Sequence, residues 1–265
     1  MIGRQIHIIG RSFAAAYASN VQYRAEFLLY MLAGAVPIVV MFAWRSLADA
    51  GRIGDVDRTW FAAYFFIIFA TRQLSPIWLI REMDKMVRLG QLSHHLLRPA
   101  PLYWHLVGRH LSDNAIRLPV VLIVVPLGLW LFDAWPAVEA NRLPLFLLSL
   151  MLGALVHFHT ELAIGLTAFW TDQSWAFEDF YTAALYLLTG FMVPLAMFPE
   201  GVQAVISWVP WRYMFGVPAE ILVGLHRGTE LYGLLAGQIA WAGISAGLAW
   251  LLWRRGLRRF TGAGS

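Results

Sequence analysis

Cysteine is absent from the 265 residues, which removes disulfides, thiol nucleophiles and thiolate metal sites from consideration. Lysine occurs once, as Lys85, and Asp, Glu, Lys and Arg together make up only 14% of the chain; a soluble domain carries about a quarter. There is no G-x-x-x-x-G-K-[ST] run, since Lys85 follows Asp84 rather than glycine, so the chain lacks a phosphate loop of that kind. The net charge of +4 is small and the basic residues gather beside apolar runs. That pattern points to anionic lipid and away from nucleic acid.

What is present is apolar and aromatic. Hydrophobic residues make up 59% of the chain, with 13 Trp and 9 Tyr, and the mean hydropathy is +0.60. These values exclude an ordinary soluble domain, and the aromatics suit belts at two lipid–water boundaries. The expectation is an all-α, polytopic membrane protein with six transmembrane helices in one domain over 1–265.

Taken in order, residues 1–24 predict an interfacial helix. Ile2, Ile6, Ile9 and Phe13 recur at helical spacing, opposite Arg4 and Arg11, and the arginines rule out a signal-peptide core. The first span is expected over Phe27–Trp44, kinked at Pro37, and the second over Trp60–Ile80, containing Arg72. The third runs over Leu118–Phe132, preceded by a mixed stretch from Tyr103 to Arg117 that could open the same helix. Leu143–Trp170 makes the fourth. Residues 180–224 read as a fifth span followed by an extracellular re-entrant hairpin, punctuated by Gly190, Pro194, Pro199, Pro210 and Pro218. Irregular backbone at that depth needs protein or a water-lined cavity to cover it. Leu231–Trp253 is the sixth span.

The longest polar interruption is Arg81 to Pro101. As a helix it places Met83, Met86 and Val87 on one face with Gly90 a turn further on, and Glu82, Asp84, Lys85 and Arg88 elsewhere. A bare connector needs only a handful of residues, so residues 81–101 read as a docking segment for a partner, with Leu92 beyond it. With six spans and both termini inside, thirteen Lys and Arg fall on the cytoplasmic side and six outside. Positive charge collects inside, which makes the docking segment cytoplasmic.

Several constellations admit more than one reading. Gly243-Ile244-Ser245-Ala246-Gly247 matches the nucleophile-elbow string, and Ser245 with His157 or His159 would make an intramembrane serine hydrolase. The string lies inside a continuous apolar helix and not on a strand-to-helix turn, which favours close helix packing at Gly243 and Gly247. His157 and Glu161 share a helix face while His159 points away, too few ligands for a metal site. They are either a polar patch along a substrate path or a structural cluster between helices. Arg72 either pairs with Glu161 or snorkels to an interface. An ion-gradient carrier is a further alternative, but such carriers show matched broken helices in each half, and the first half has no counterpart to the hairpin.

Gly90-Gln91-Leu92, the run Leu96-Leu97-Arg98-Pro99, and the series Gly190, Val193-Pro194-Leu195, Phe198-Pro199, Pro210, Tyr213, Pro218 and Gly224 together resemble the membrane subunits of bacterial type-2 ABC exporters. Within these, the chain is similar to the paired permeases described as viologen or drug exporters. The resemblance implies a permease of the bacterial inner membrane that binds no cofactor itself. It further implies ATP and Mg on separate ABC ATPase subunits, and a second permease, identical or paralogous, completing the pathway among membrane lipids. It gives residues 82–92 the coupling role and the broken segment after Pro194 the role of an outer gate. Arg72, His157 and Glu161 match no family feature and remain path candidates from spacing alone.

Overall fold

The computed structural model describes residues 2–22, 29, 31–32, 34–51, 56–76, 78–97, 101–171 and 174–260. Among these the chain is helical and contains no strand. Arg24 of the interfacial segment, residues 27, 28, 30 and 33 of the first span, Arg52 and Asp55 of the loop after it, Arg98-Pro99-Ala100 and Asp172 lie outside the described residues.

Helix α1 (Ile2–Gln22) lies alongside the first half of the helix that begins at Leu102. Ser12 Oγ meets His105 Nδ1 at 2.8 Å and Asn20 donates to Asp113 at 2.6 Å, an equal offset of 93 residues that makes the two helices parallel. Ile9 and Phe13 are half-buried, Arg4 and Arg11 exposed, and Ile6 is 63% exposed.

Pro37 does not kink a span. It sits in the first turn of α2 (Val36–Asp49), after a turn at Gly34 and Ala35. Its missing N–H costs nothing there, because the first helical N–H groups have no intrahelical acceptor.

Helix α3 (Arg58–Gln73) is the centre of the molecule. Every residue from Phe61 to Thr71 is buried. A helix apolar on all sides has to be wrapped by others. Phe61, Tyr64, Phe65, Ile67 and Ile68 join Met41, Leu129, Phe146, Val156, Met214 and Phe215 in one core. Trp44 stacks on Phe61 and Trp60 on Tyr64, at 5.5 and 5.2 Å between centroids.

The expected second span breaks after Gln73, where Leu74, Ser75 and Pro76 leave the helix of α3 and a new helix begins at Leu79. Proline withholds a donor and disfavours helix in the residue before it. Helix α4 (Leu79–Arg88) starts after that break, two residues before the expected docking segment, and α5 (Leu92–Leu96) follows it. Next comes α6 (Leu102–Leu131), which does absorb the mixed stretch after Tyr103. Helix α7 (Leu143–Gly165) continues through a 3₁₀ turn at Leu166–Phe169.

After α8 (Ser174–Leu188) the chain turns at Gly190, folds a short α9 (Glu200–Ile206), and enters α10 (Arg212–Leu222). Residues Tyr213 to Leu222 are all buried. The expected broken segment is therefore a pair of short helices with the second inside the bundle. Helix α11 (Thr229–Leu257) closes the described fold.

Among the described residues, three helices are long and apolar enough to cross a bilayer: Leu102–Leu131, Ala140–Phe169 and Thr229–Leu257. They expose Leu122, Ile123, Trp130, Met151, Ile239 and Trp250, each by more than half, a surface that suits lipid and would be a liability in water. Helices α2, α3 and α8 have 14, 16 and 15 residues, short of the ~20 needed to cross unaided.

Candidate functional site

Helix α4, expected from the sequence to dock a partner, sits half in and half out of the bundle. Glu82 lies in its first turn and Lys85 and Arg88 in its last, the arrangement the helix dipole favours. It ends at Leu89 and Gly90, the latter at φ +68°, a left-handed conformation that glycine adopts without strain. Leu79, Met83, Met86 and Leu92 pack inward against Leu102, Leu106, Phe158, Leu162 and Leu166.

The acids of this helix do not face outward as the amphipathic pattern suggests. Glu82 pairs with Arg109 of α6; burial raises the pKa of its carboxyl above the ordinary value, opposed by the Arg109 charge. Asp84 is buried and bonds Arg88 at 2.9 Å. Arg81 donates to Glu178 of α8 at 2.7 Å. The outward surface is consequently cationic and apolar. Arg81, Lys85 and Arg88 are exposed beside Leu89 (60% exposed), and Leu97 beyond α5 is 84% exposed.

The inner end of this helix is held by α7. Glu161 Oε2 accepts the Leu79 N–H at 2.9 Å, and its Oε1 stands 3.2 Å from His157 Nε2. His157 Nδ1 in turn meets Ser75 Oγ at 3.2 Å. Leu79 is the first residue of α4, so the carboxylate does from another helix what an N-cap side chain does locally. One turn on, Gly165 lets the helices touch, since a Cβ there would lie 2.8 Å from the Leu79 carbonyl oxygen. His157 and Glu161 are 1% and 6% exposed. Together with Ser75 they fasten α7 to the corner between α3 and α4.

The other predicted residues separate. His159 bonds its own Leu155 carbonyl at 2.8 Å and Tyr103 at 3.2 Å, away from His157 as its spacing requires. Arg72 makes no ion pair with Glu161 within 4.0 Å; its guanidinium lies 5.8 Å from the Phe215 ring centroid, inside the bundle. Ser245 lies within α11 and donates to Trp241 O at 2.7 Å, so neither the strained turn nor a base of the elbow reading is there. Gly243 and Gly247 meet nothing within 4 Å, so among the described residues the helix approach expected at that spacing is not made.

In the hairpin, Gly190 O accepts from Tyr64 at 3.1 Å and Met192 O from Trp44 at 3.0 Å. Pro194 precedes the Leu195–Met197 turn, Pro199 precedes α9, and the Pro210 carbonyl accepts from Tyr213 N at 3.0 Å.

Sequence reasoning missed two polar knots. Gln238 of α11, fully buried, bonds Ser149 Oγ and the carbonyls of Ser149 and Tyr213, all within 3.0 Å. Glu220, 1% exposed, meets His226 at 2.8 Å and Arg212 at 3.5 Å. The available signal was a lone amide or carboxylate inside an apolar run, which marks a group that needs partners.

Residues 53–264 match the family model described as ABC-2 family transporter protein. The chain belongs to this family. No curated protein matches it. The match spans everything from α3 to the end of α11, including α4 and the residues that hold its first turn. This permease is thus the membrane component of an ABC transporter, and family membership implies partnership with ABC ATPase subunits.

Proposed function

We propose that this permease forms the conduit of an ATP-driven exporter of the bacterial inner membrane and takes its mechanical input through α4. ATP is bound with Mg and hydrolysed on separate ATPase subunits, and two permeases, identical or paralogous, enclose the path. The chain crosses six times with both termini inside, and the hairpin from Gly190 through Pro210 forms the outer gate. The observation that carries this reading is the two-sided character of α4: a cationic and apolar face turned out, and a first turn fastened to α7 through Glu161. A helix bound on both sides passes displacement from one to the other.

Six crossings are compatible with the short helices. Residues 58–80 number about two dozen, and the break at Ser75-Pro76 lies buried, with Leu79 N–H and Ser75 Oγ satisfied from α7. Irregular backbone is tolerated in a bilayer under such cover. Neither the hydrolase nor the ion-gradient carrier is supported by an observation of comparable weight.

Charge reversal on the outward face tests the reading. The charge-reversed variant K85E, co-expressed with the partner ATPase, is expected to lose the ATPase on purification while eluting as a folded permease. Undiminished co-purification and unchanged ATP turnover would sink the proposal that α4 is the coupling element.

A further inference from the structure

We propose that the end of α11 binds anionic phospholipid headgroups through a fixed face of four arginines, Arg254, Arg255, Arg258 and Arg259. The inference goes beyond the export reading and takes from it only the naming of the inner leaflet. At about 100° per residue the four fall on one side of the helix, within an arc of roughly 140°. All four are exposed. The opposite side is locked in place: Gly256 is buried where a Cβ would run into the Phe169 ring, and Trp253 and Phe260 meet the same ring edge-on. Arg258 keeps helical dihedrals, and the N–H groups of Arg259 and Phe260 donate back to the Gly256 carbonyl at 2.9 and 3.0 Å. The arginines therefore stand on a rigid helix end, and holding a ligand there orders side chains but not backbone.

Charge selects the partner. Among the described residues none of the four arginines makes an ion pair. The sequence beyond Phe169 adds one acid, Asp172, against the four, and Thr261 to Ser265 add none. The C-terminal end of a helix offsets about half a charge, so the face stays cationic. Direction then selects lipid over a cytoplasmic protein. The Arg254 guanidinium lies 4.7 Å from the ring centroid of Trp250, one turn back toward the apolar body of the helix, in a cation–π contact. Ile244, Leu248 and Leu251 are exposed along that same side, so surface for acyl chains runs directly into surface for headgroups. A phosphodiester accepts two guanidinium N–H bonds at once, and a basic cluster at the end of a span is a surface that anionic lipid fits. The inner side of the same helix end packs through Leu252, Trp253 and Leu257 on the cluster that holds Leu79 and Met83 of α4. Headgroups on the arginine face thus brace the wall against which α4 is seated.

The test uses the full permease without ATPase in nanodiscs of phosphatidylcholine and phosphatidylglycerol, with one lipid at a time brominated on its acyl chains. A bimane on a single cysteine at Leu251 reports which lipid lies beside the face, and one at Ile123 of α6 reports bulk lipid. At equal mole fraction, phosphatidylglycerol should quench the Leu251 probe several times more strongly than phosphatidylcholine, since each arginine in contact is worth roughly fivefold. At Ile123 the two should quench alike. The preference should collapse in about 0.5 M salt, where the screening length is about 4 Å. R254Q/R255Q/R258Q/R259Q should abolish it, and the corresponding four lysine substitutions should retain it. If the glutamine variant fails to fold, R258Q/R259Q, past the last regular turn, serves instead and should cut the preference severalfold. Equal quenching by the two lipids at Leu251, the same preference at Ile123, or a preference that survives the glutamine substitutions would overturn the proposal. So would a lysine variant as inert as the glutamine one, which would make the arginines structural. Equal quenching joined to loss of the partner ATPase from the glutamine variant would assign the face to that protein instead. The nanodiscs offer the same lipids on both sides and hold no ATPase, so this result and that of K85E fail independently.

Discussion

At Glu161 one carboxylate serves two helices, capping the first N–H of α4 while its own helix, α7, runs on past it. Replacing it with alanine orphans the Leu79 N–H and leaves His157 without its acid. E161A should cost about 1–3 kcal/mol, the usual penalty for a stranded buried donor. E161Q keeps an acceptor for Leu79 and should cost less. Thermal unfolding in detergent measures both, and equal losses would show that the capping bond is not what matters. At the hairpin end, His226 supplies a pH dependence. Burial lowers the proton affinity of its imidazole, but the hydrogen bond and charge of Glu220, with Glu230 behind, outweigh burial and hold its pKa above the ordinary value. The folded state thus prefers the protonated ring. Its contribution is full below the unfolded value of about 6.5 and fades as pH rises through the higher folded value. Relative to H226Q, the wild type should therefore lose thermal stability as pH rises above about 6.5; parallel curves for the two proteins would refute this.

Among the elements, the polar helix after the second apolar run was the most legible, because a long charged stretch between two apolar runs exceeds what a plain connection requires. Its boundary was not. The hydrophobic run from Trp60 to Ile80 conceals the break that Pro76 imposes, and α4 therefore starts at Leu79. Nor could periodicity show that Glu82 and Asp84 turn inward, because Arg109, the partner that holds Glu82, is 27 residues away. The same distance effect hid Gln238, whose bond to Ser149 spans 89 residues. The alternatives for His157 and Glu161 were open in the sequence because spacing defines a face but not what lies against it. Here Ser75 and Leu79 lie against it. The cysteine-free chain lends itself to a direct test of sidedness. Single cysteines at Lys85 and at Trp208 (82% exposed) should react with membrane-impermeant maleimide from opposite sides in oriented vesicles. Labelling of both from one side would refute the six-crossing arrangement.

For the molecule as a whole, α3 is the fixed axis and the surrounding helices are its jacket. Glu161 fastens α4 to that jacket at Leu79, while the opposite tip at Gly90 is flanked by Met86 and Leu92, which pack into the core without a polar bond to α7 of that kind. A ten-residue helix is about 15 Å long, so turning it through some ten degrees about the Leu79 joint sweeps the far tip through roughly 2.5 Å. Run backwards, the same crank gears a broad, weakly forced sweep at the tip down to a short, strong twist at the joint, delivered where Leu79 and Met83 pack on Leu162 and Leu166.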